Sequence, residues 1–291
     1  MSAPDTPLVF ESAAEVSSRL SGVGYIPSTR ISGVVYLAER LRKPVLVEGP
    51  AGTGKTQLAK SVAETCGLRL IRLQCYEGLD EAKALYEWDY RKQLLHIAAQ
   101  ERSNSSGDAE SELFDERFLL TRPLLEAIRS EDQVVLLIDE VDRLDIETEA
   151  LLLEVLSDFQ VSIPELGTVS ARTMPMVFLT SNNSRELSEA LKRRCLFLHI
   201  GYPDLERERD IVLAQVPGIS ATLADKVSQL VRSLRALDLK KKPSVSETLD
   251  WARTLVLLGA DDIPADLVAD TLPVLLKHES DIEIATKELV D

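Results

Sequence analysis

Strand-like runs at residues 44–48, 68–73, 134–138 and 175–180 alternate with stretches whose apolar positions recur every three or four residues. The runs have the length of buried strands, and the stretches at 56–66, 123–130 and 147–156 have the period of helices. Pro123 suits a first helical turn, and Gly67 suits the position just past a helix end. Strands separated by helices predict parallel pairing through right-handed crossovers. The expected fold class is therefore α/β, a parallel sheet sandwiched by helices.

Past Tyr202-Pro203-Asp204 the strand-like runs stop. Residues 205–215, 222–234, 245–258, 265–276 and 282–290 all carry helical patterning, and Ser244-Val245-Ser246-Glu247 reads as a capping box at a helix start. The chain has 291 residues, which suits two domains at roughly 100–200 residues each. We expect an α/β domain over residues 1–203 and a small all-helical domain over 204–291. The Ser-rich, acidic stretch 101–112 predicts an exposed, mobile loop.

Charge narrows the partners. Lys and Arg total 33 against 48 Asp and Glu, a formal charge of −15. That field repels phosphate backbones, so no nucleic-acid partner is expected on electrostatic grounds. The longest apolar runs fall far short of the roughly 18 residues of a membrane span. Met1-Ser2-Ala3-Pro4-Asp5 lacks the basic and apolar regions of a secretory signal, so a cytoplasmic location is expected. Cys66, Cys75 and Cys195 show no CxxC spacing and read as small buried hydrophobes. His96, His199 and His278 form no metal-binding spacing.

Chemistry concentrates in two places. Gly49-Pro50-Ala51-Gly52-Thr53-Gly54-Lys55-Thr56 follows GxxxxGK[ST] between a predicted strand and a predicted helix. Glycines let the backbone wrap an anion, so that consecutive N–H groups and the helix N-terminus face phosphate. Lys55 would reach the β- and γ-phosphates of ATP, and the Thr56 hydroxyl would ligate Mg²⁺. The 134–138 run ends in Asp139-Glu140. Carboxylates at the C-terminal edge of a parallel strand stand where such sheets bind ligands. Asp139 is then the Mg²⁺-side residue, and Glu140 can polarise a water for attack on the γ-phosphate. That second acid favours hydrolysis over transfer to another substrate.

A third run, Val177-Phe178-Leu179-Thr180-Ser181-Asn182-Asn183, ends in polar residues, and Leu191-Lys192-Arg193-Arg194-Cys195 follows. On their own the arginines read as a solvated helix face. In this order, after the phosphate loop and the acidic pair, the arrangement resembles an AAA+ ATPase. Residues 71–80, 85–90, 139–143, 153–161 and 190–195 together resemble the MoxR branch, most of all the CoxD-type ATPases accessory to carbon monoxide dehydrogenase maturation. The resemblance implies that Asn182 is the first sensor, orienting water with Glu140. It implies that Arg194, with Arg193 as the alternate, is an arginine finger completing a neighbouring subunit's site. It places Tyr25 and Ile26, after Gly24, against adenine. Residues 76–93 correspond to an insertion near a ring's central pore, and 160–172 to a hairpin before the first-sensor strand.

One departure stands out. Related rings often carry a second-sensor arginine where the helix near Val245 begins, and this sequence has Ser246 and Glu247 there. Arg253 and the loop residues Lys240, Lys241 and Lys242 remain as candidates, and a reduced or absent second sensor is expected. Tyr86, Trp88 and Tyr90 suit either a substrate-gripping set or ordinary packing. The resemblance implies a homo-oligomer, a hexameric ring, with a von Willebrand factor A-domain partner and a client metalloenzyme whose cofactor insertion it assists. The rival classes are a DNA- or replication-associated motor and a non-hydrolysing nucleotide-binding module.

Overall fold

The computed structural model describes residues 8–103 and 113–289. Five strands form a parallel sheet: β1 (Val45–Glu48), β2 (Arg69–Gln74), β5 (Val134–Asp139), β8 (Met176–Ser181) and β9 (Leu196–His199), ordered β2-β5-β8-β1-β9. All six residues of β5 and of β8 are buried. Side chains alternate across a pleated strand, and both faces are covered. Val134, Leu136 and Ile138 enter the cluster on one face, with Leu125, Ile128 and Leu152. Val135 and Leu137 enter the cluster on the other, with Leu58, Val62 and Val35. Burial on both faces is why these strands read as unbroken apolar runs rather than alternating ones.

Two helices precede β1, Ala13–Gly22 and Thr29–Leu41, each started by a serine cap, Ser12 and Ser28. Sequence patterning does not predict them, because each offers only a narrow apolar stripe. Buried Glu39 on the second accepts the backbone N–H groups of Val9 and Phe10, which ties the first described residues to that helix. Nor does sequence patterning predict the strand β9. It is four residues on the sheet's edge, and Leu198 is its one fully inward side chain while Phe197 is half-exposed. An edge strand buries too little to print a strand pattern.

Two small antiparallel ribbons lie outside the sheet. In the first, β3 (Tyr86–Trp88) pairs with β4 (Leu119–Thr121); in the second, β6 (Gln160–Ile163) pairs with β7 (Gly167–Ser170). Between β3 and β4 runs the helix Tyr90–Ser103. The expected 101–112 loop begins inside that helix, and its 104–112 part lies outside the described residues. Trp88 is buried in an edge-on contact with Phe114, whereas Tyr90 is exposed, so the three aromatics do not share one face.

After β9 the chain is helical: Leu205–Gln215, Ala221–Ala236, Val245–Leu257, Ala265–Leu275 and Glu279–Leu289. These helices enclose their own core around Trp251, Leu255, Val231 and Leu272. A buried polar knot holds them to one another and to the connecting segment. Arg235 grips Glu208 with both Nη atoms, donates to the Pro243 carbonyl at 2.8 Å, and stacks on Tyr202. A bidentate, hydrogen-bonded pair of this kind is one of the few ways a carboxylate is tolerated at 1% exposure.

Candidate active site

Between β1 and the helix Lys55–Cys66 the chain makes a turn that few residues could make. Gly52 and Gly54 have φ of +72° and +89°, in the left-handed region that favours glycine. Contact adds to conformation at two of the glycines. A Cβ on Gly49 would lie 2.0 Å from the Ile200 carbonyl oxygen, and one on Gly52 would lie 2.1 Å from Ser244 Oγ. The loop is thus pressed between the end of β9 and the start of the Val245–Leu257 helix. Ser246 N–H donates to the Gly52 carbonyl at 3.2 Å.

Lys55 opens the helix and is buried. Its ammonium donates to the Gly49 carbonyl at 2.8 Å, to the Pro50 carbonyl at 2.7 Å and to Asn182 Oδ1 at 2.8 Å. Burial holds its pKa below the usual lysine value, opposed by the negative charges of Asp142, Asp139 and Glu140. One helical residue on, Thr56 donates its hydroxyl to Asp139 Oδ1 at 2.9 Å. Thr180, near the end of β8, donates to the same oxygen at 2.5 Å and accepts the Glu140 N–H at 2.9 Å. Asp139 Oδ2 accepts from Arg72 Nε at 3.1 Å and Nη2 at 2.6 Å.

Glu140 has φ +59° and ψ +49°, a left-handed conformation that costs a non-glycine residue about 1–3 kcal/mol. That turn swings its side chain off the strand axis. Glu140 Oε2 accepts from Gln74 Nε2 at 3.1 Å and pairs with Arg143 Nε at 2.9 Å. Asn182, past the end of β8, is steadied through its backbone. Buried Asp142 accepts Asn182 N–H at 3.3 Å, Ser184 N–H at 2.9 Å and the Ser184 hydroxyl at 2.6 Å. Burial alone would raise the Asp142 pKa; the Ser184 and Asn182 hydrogen bonds outweigh it and hold the carboxyl below its usual value.

Two cavities flank the loop. One, about 270 Å³, is lined by Ala51, Lys55, Thr56, Asp139, Glu140, Thr180 and Asn182. The other, about 400 Å³, is lined by Gly24, Tyr25, Ile26, Gly52, Thr53, Gly54, Arg207 and Arg253. Burial pushes the Tyr25 phenol up to about 12, and its hydroxyl has no hydrogen-bond partner among the described residues. Arg207 Nε donates to the Ile26 carbonyl at 3.0 Å, and Gln215 to the Gly24 carbonyl at 2.6 Å. The first helix of the helical region therefore forms one wall with the N-terminal segment.

The structure brings Gly49, Pro50, Ala51, Gly52, Thr53, Gly54, Lys55, Thr56, Asp139, Glu140 and Asn182 together, with Tyr25 and Ile26 on the adjoining wall. It does not bring Arg193 or Arg194 there. Arg194 donates to Ser157 Oγ and, at 2.9 Å, to the Ala190 carbonyl, and Arg193 is exposed. Of the second-sensor candidates, Arg253 borders the larger cavity and pairs with Asp250 at 3.0 Å. Lys240 and Lys241 give their backbone N–H groups to Asp281, and the Lys241 ammonium pairs with Glu247 at 3.4 Å. Sequence reasoning missed Arg72, Gln74 and Asp142 as parts of the site. The available signals were polar residues spaced by two on a strand, and a third acid after Asp139-Glu140.

Uncharacterized proteins of Staphylococcus saprophyticus and Staphylococcus haemolyticus are each 25% identical to the chain, the first over 227 residues and the second over 226. The first alignment covers 76% of this chain and 78% of the relative, the second 75% and 78%. Among solved structures, a mutant of RuvB from Thermotoga maritima is 20% identical with a TM-score of 0.49, covering 93% of this chain and 73% of that one. The Thermotoga maritima RuvB Holliday junction branch migration motor is 19% identical with a TM-score of 0.46, covering 92% and 73%. Residues 45–202 match the ATPase family associated with various cellular activities (AAA), a stretch that holds the phosphate loop, the acidic pair and all five sheet strands; the chain belongs to the AAA family.

Proposed function

We propose that the chain is an ATP-hydrolysing AAA protein that works as a ring and remodels a client protein. The observation that carries the hydrolytic reading is the convergence of Lys55, Thr56, Asp139, Glu140 and Asn182 on one cavity. In this reading the N–H groups of residues 49–56 cradle the phosphates, and Lys55 exchanges its loop carbonyls for β- and γ-phosphate oxygens. Glu140 draws a proton from the attacking water, which Asn182 orients. Tyr25 and Ile26 receive the adenine.

Mg²⁺ favours hard oxygen donors, and the residues present fit it: the Thr56 hydroxyl and the Asp139 carboxylate sit 2.9 Å apart on the cavity wall. When bound, the ion would neutralise charge on the phosphate oxygens. Thr56 and Asp139 would hold it, with Thr180 fixing the rotamer of Asp139. Arg194, or Arg193 in its place, lies off its own subunit's cavity and acts on a neighbour's. That arrangement requires a homo-oligomer, in this reading a hexamer.

The biological setting rests on resemblance. The strings at 71–80, 85–90 and 153–161 support a MoxR-type protein most like the CoxD group. By that likeness it works with a von Willebrand factor A-domain protein and helps install a cofactor in a client metalloenzyme. The test is to trap the assembly with Glu140→Gln and ATP and identify what co-purifies. A metalloenzyme or its apoprotein supports the reading; nucleic acid with no protein client would replace it with that of a DNA-associated motor.

A further inference from the structure

Two side chains on β2 face the acidic pair, and neither belongs to the phosphate loop. Besides its two bonds to Asp139 Oδ2, Arg72 donates from Nη2 to Gln74 Oε1. Gln74 Nε2 donates onward to Glu140 Oε2 at 3.1 Å. β2 runs parallel to β5 with Arg72 beside Leu137 and Gln74 beside Asp139. Residues two apart share a strand face, so both side chains arrive at the end of β5 from the same side.

A glutamine amide has one acceptor end and one donor end. The guanidinium offers only donors and faces Oε1; the Glu140 carboxylate offers only acceptors and faces Nε2. The other contact of Nε2, with the Cys75 carbonyl, is longer at 3.4 Å. Without the guanidinium nothing fixes Oε1, and the single 3.1 Å bond from Nε2 to Glu140 no longer sets the plane of the amide.

We propose that Arg72 is a positioning residue for hydrolysis: its guanidinium fixes Asp139 and, by orienting the Gln74 amide, fixes Glu140. The metal-side and water-side carboxylates are thereby set as one unit. The inference rests on the ATPase reading above. Its geometry asks for arginine rather than lysine, because a planar fork serves two acceptors in fixed directions while an ammonium is a point charge on a flexible stem. Arg72 is half-exposed on an edge strand, so truncating it leaves the core intact.

The experiment uses the full chain with Arg72→Ala, Arg72→Lys, Gln74→Ala and the double alanine variant. The first readout needs neither metal nor turnover. It is the ¹⁵N side-chain amide signal of Gln74, identified as the one that Gln74→Ala removes. In Arg72→Ala and Arg72→Lys it should move to the position and narrow line of a solvated glutamine. The second readout is steady-state hydrolysis. Losing a partner that orients a reacting group typically costs about 10–100-fold, so kcat should fall by about that factor in Arg72→Ala with KM for ATP within about threefold. The double variant should be no slower than the slower single one, because both break the same chain. An unmoved Gln74 signal in Arg72→Ala, restoration of kcat by Arg72→Lys, or additive losses would each overturn the proposal. Absence of ATP binding or phosphate release in the unaltered protein would overturn the ATPase reading instead, and the amide signal would still decide whether Arg72 orients Gln74.

Discussion

The Lys55 ammonium donates to Asn182 Oδ1 at 2.8 Å, joining the phosphate loop to the end of β8 across 127 residues of sequence. In the proposed mechanism Lys55 meets phosphate and Asn182 meets water. In this structure the two hold each other, with the Gly49 and Pro50 carbonyls completing the ammonium's coordination. A buried lysine without such partners would lose its charge or its place. The contact holds the cation at the mouth of the loop, where the proposed mechanism has it meet phosphate oxygens.

Gly52 and Gly67 allow conformation to be separated from contact. Both have left-handed φ, +72° and +64°, but a Cβ on Gly67 meets nothing within 4 Å while one on Gly52 meets Ser244 Oγ at 2.1 Å. Gly67→Ala should cost about 1 kcal/mol and leave nucleotide affinity unchanged. Gly52→Ala should lower the melting temperature further and abolish nucleotide binding, because the loop must shift off the Val245–Leu257 helix. Thermal melts and titration with a fluorescent ATP analogue check both; equal behaviour would show that this contact is not what constrains the loop.

Asp142 ties acid stability to the site. Its carboxyl is held below its ordinary value by Ser184 and Asn182 despite burial. A group with a depressed folded-state pKa stabilises the protein above its unfolded-state pKa and loses that contribution as pH falls through the folded value. Asp142→Asn should therefore destabilise by about 2 kcal/mol at pH 7, in the range of hydrogen bonds to a charged group. The gap to the unaltered protein should narrow below about pH 4, near the ordinary pKa of an aspartate. Denaturant titrations at pH 7 and pH 3 read this; a gap that widens in acid would reverse the sign.

Where the sequence was legible and where it was not follows from burial. β5 and β8 print continuous apolar runs because both of their faces are covered, and the phosphate loop prints its glycines because Gly49 and Gly52 leave no room for a Cβ. Asp139 and Glu140 stand out because carboxylates end an apolar strand. By contrast, the Ala13–Gly22 and Thr29–Leu41 helices and the edge strand β9 bury narrow stripes that a linear pattern does not distinguish from loop. Arg72 and Gln74 were invisible for a different reason. Their significance lies in what β5 sets beside them, and a hydrogen bond between residues 67 positions apart is not written in either segment alone.

In the proposed mechanism Arg194 joins chemistry to assembly. It lies off its own cavity, held by Ser157 and the Ala190 carbonyl. An arginine supplied in trans is worth roughly 10³–10⁵ in rate in phosphoryl-transfer systems. Arg194→Ala should bind ATP through the 49–56 loop yet hydrolyse it slowly even when assembled. Mixed with Lys55→Ala, it should recover part of the activity, since the Lys55 variant lends its neighbour an intact arginine. ATPase rate against protein concentration, with mass by light scattering, checks the dependence on assembly. A demonstrably monomeric sample with full specific activity would remove Arg194 from the mechanism.

Hydrolysis at the Lys55–Glu140 cleft is the claim on which the rest depends, and single-turnover release of the γ-phosphate from pre-bound ATP tests it most directly. Lys55→Ala should bind no ATP. Glu140→Gln should bind it with near-normal affinity and release phosphate about 10²–10⁴-fold more slowly, the usual contribution of a positioned general base. Phosphate release by Glu140→Gln at the rate of the unaltered protein would contradict the assignment, and with it the reading of this cleft as the hydrolytic site.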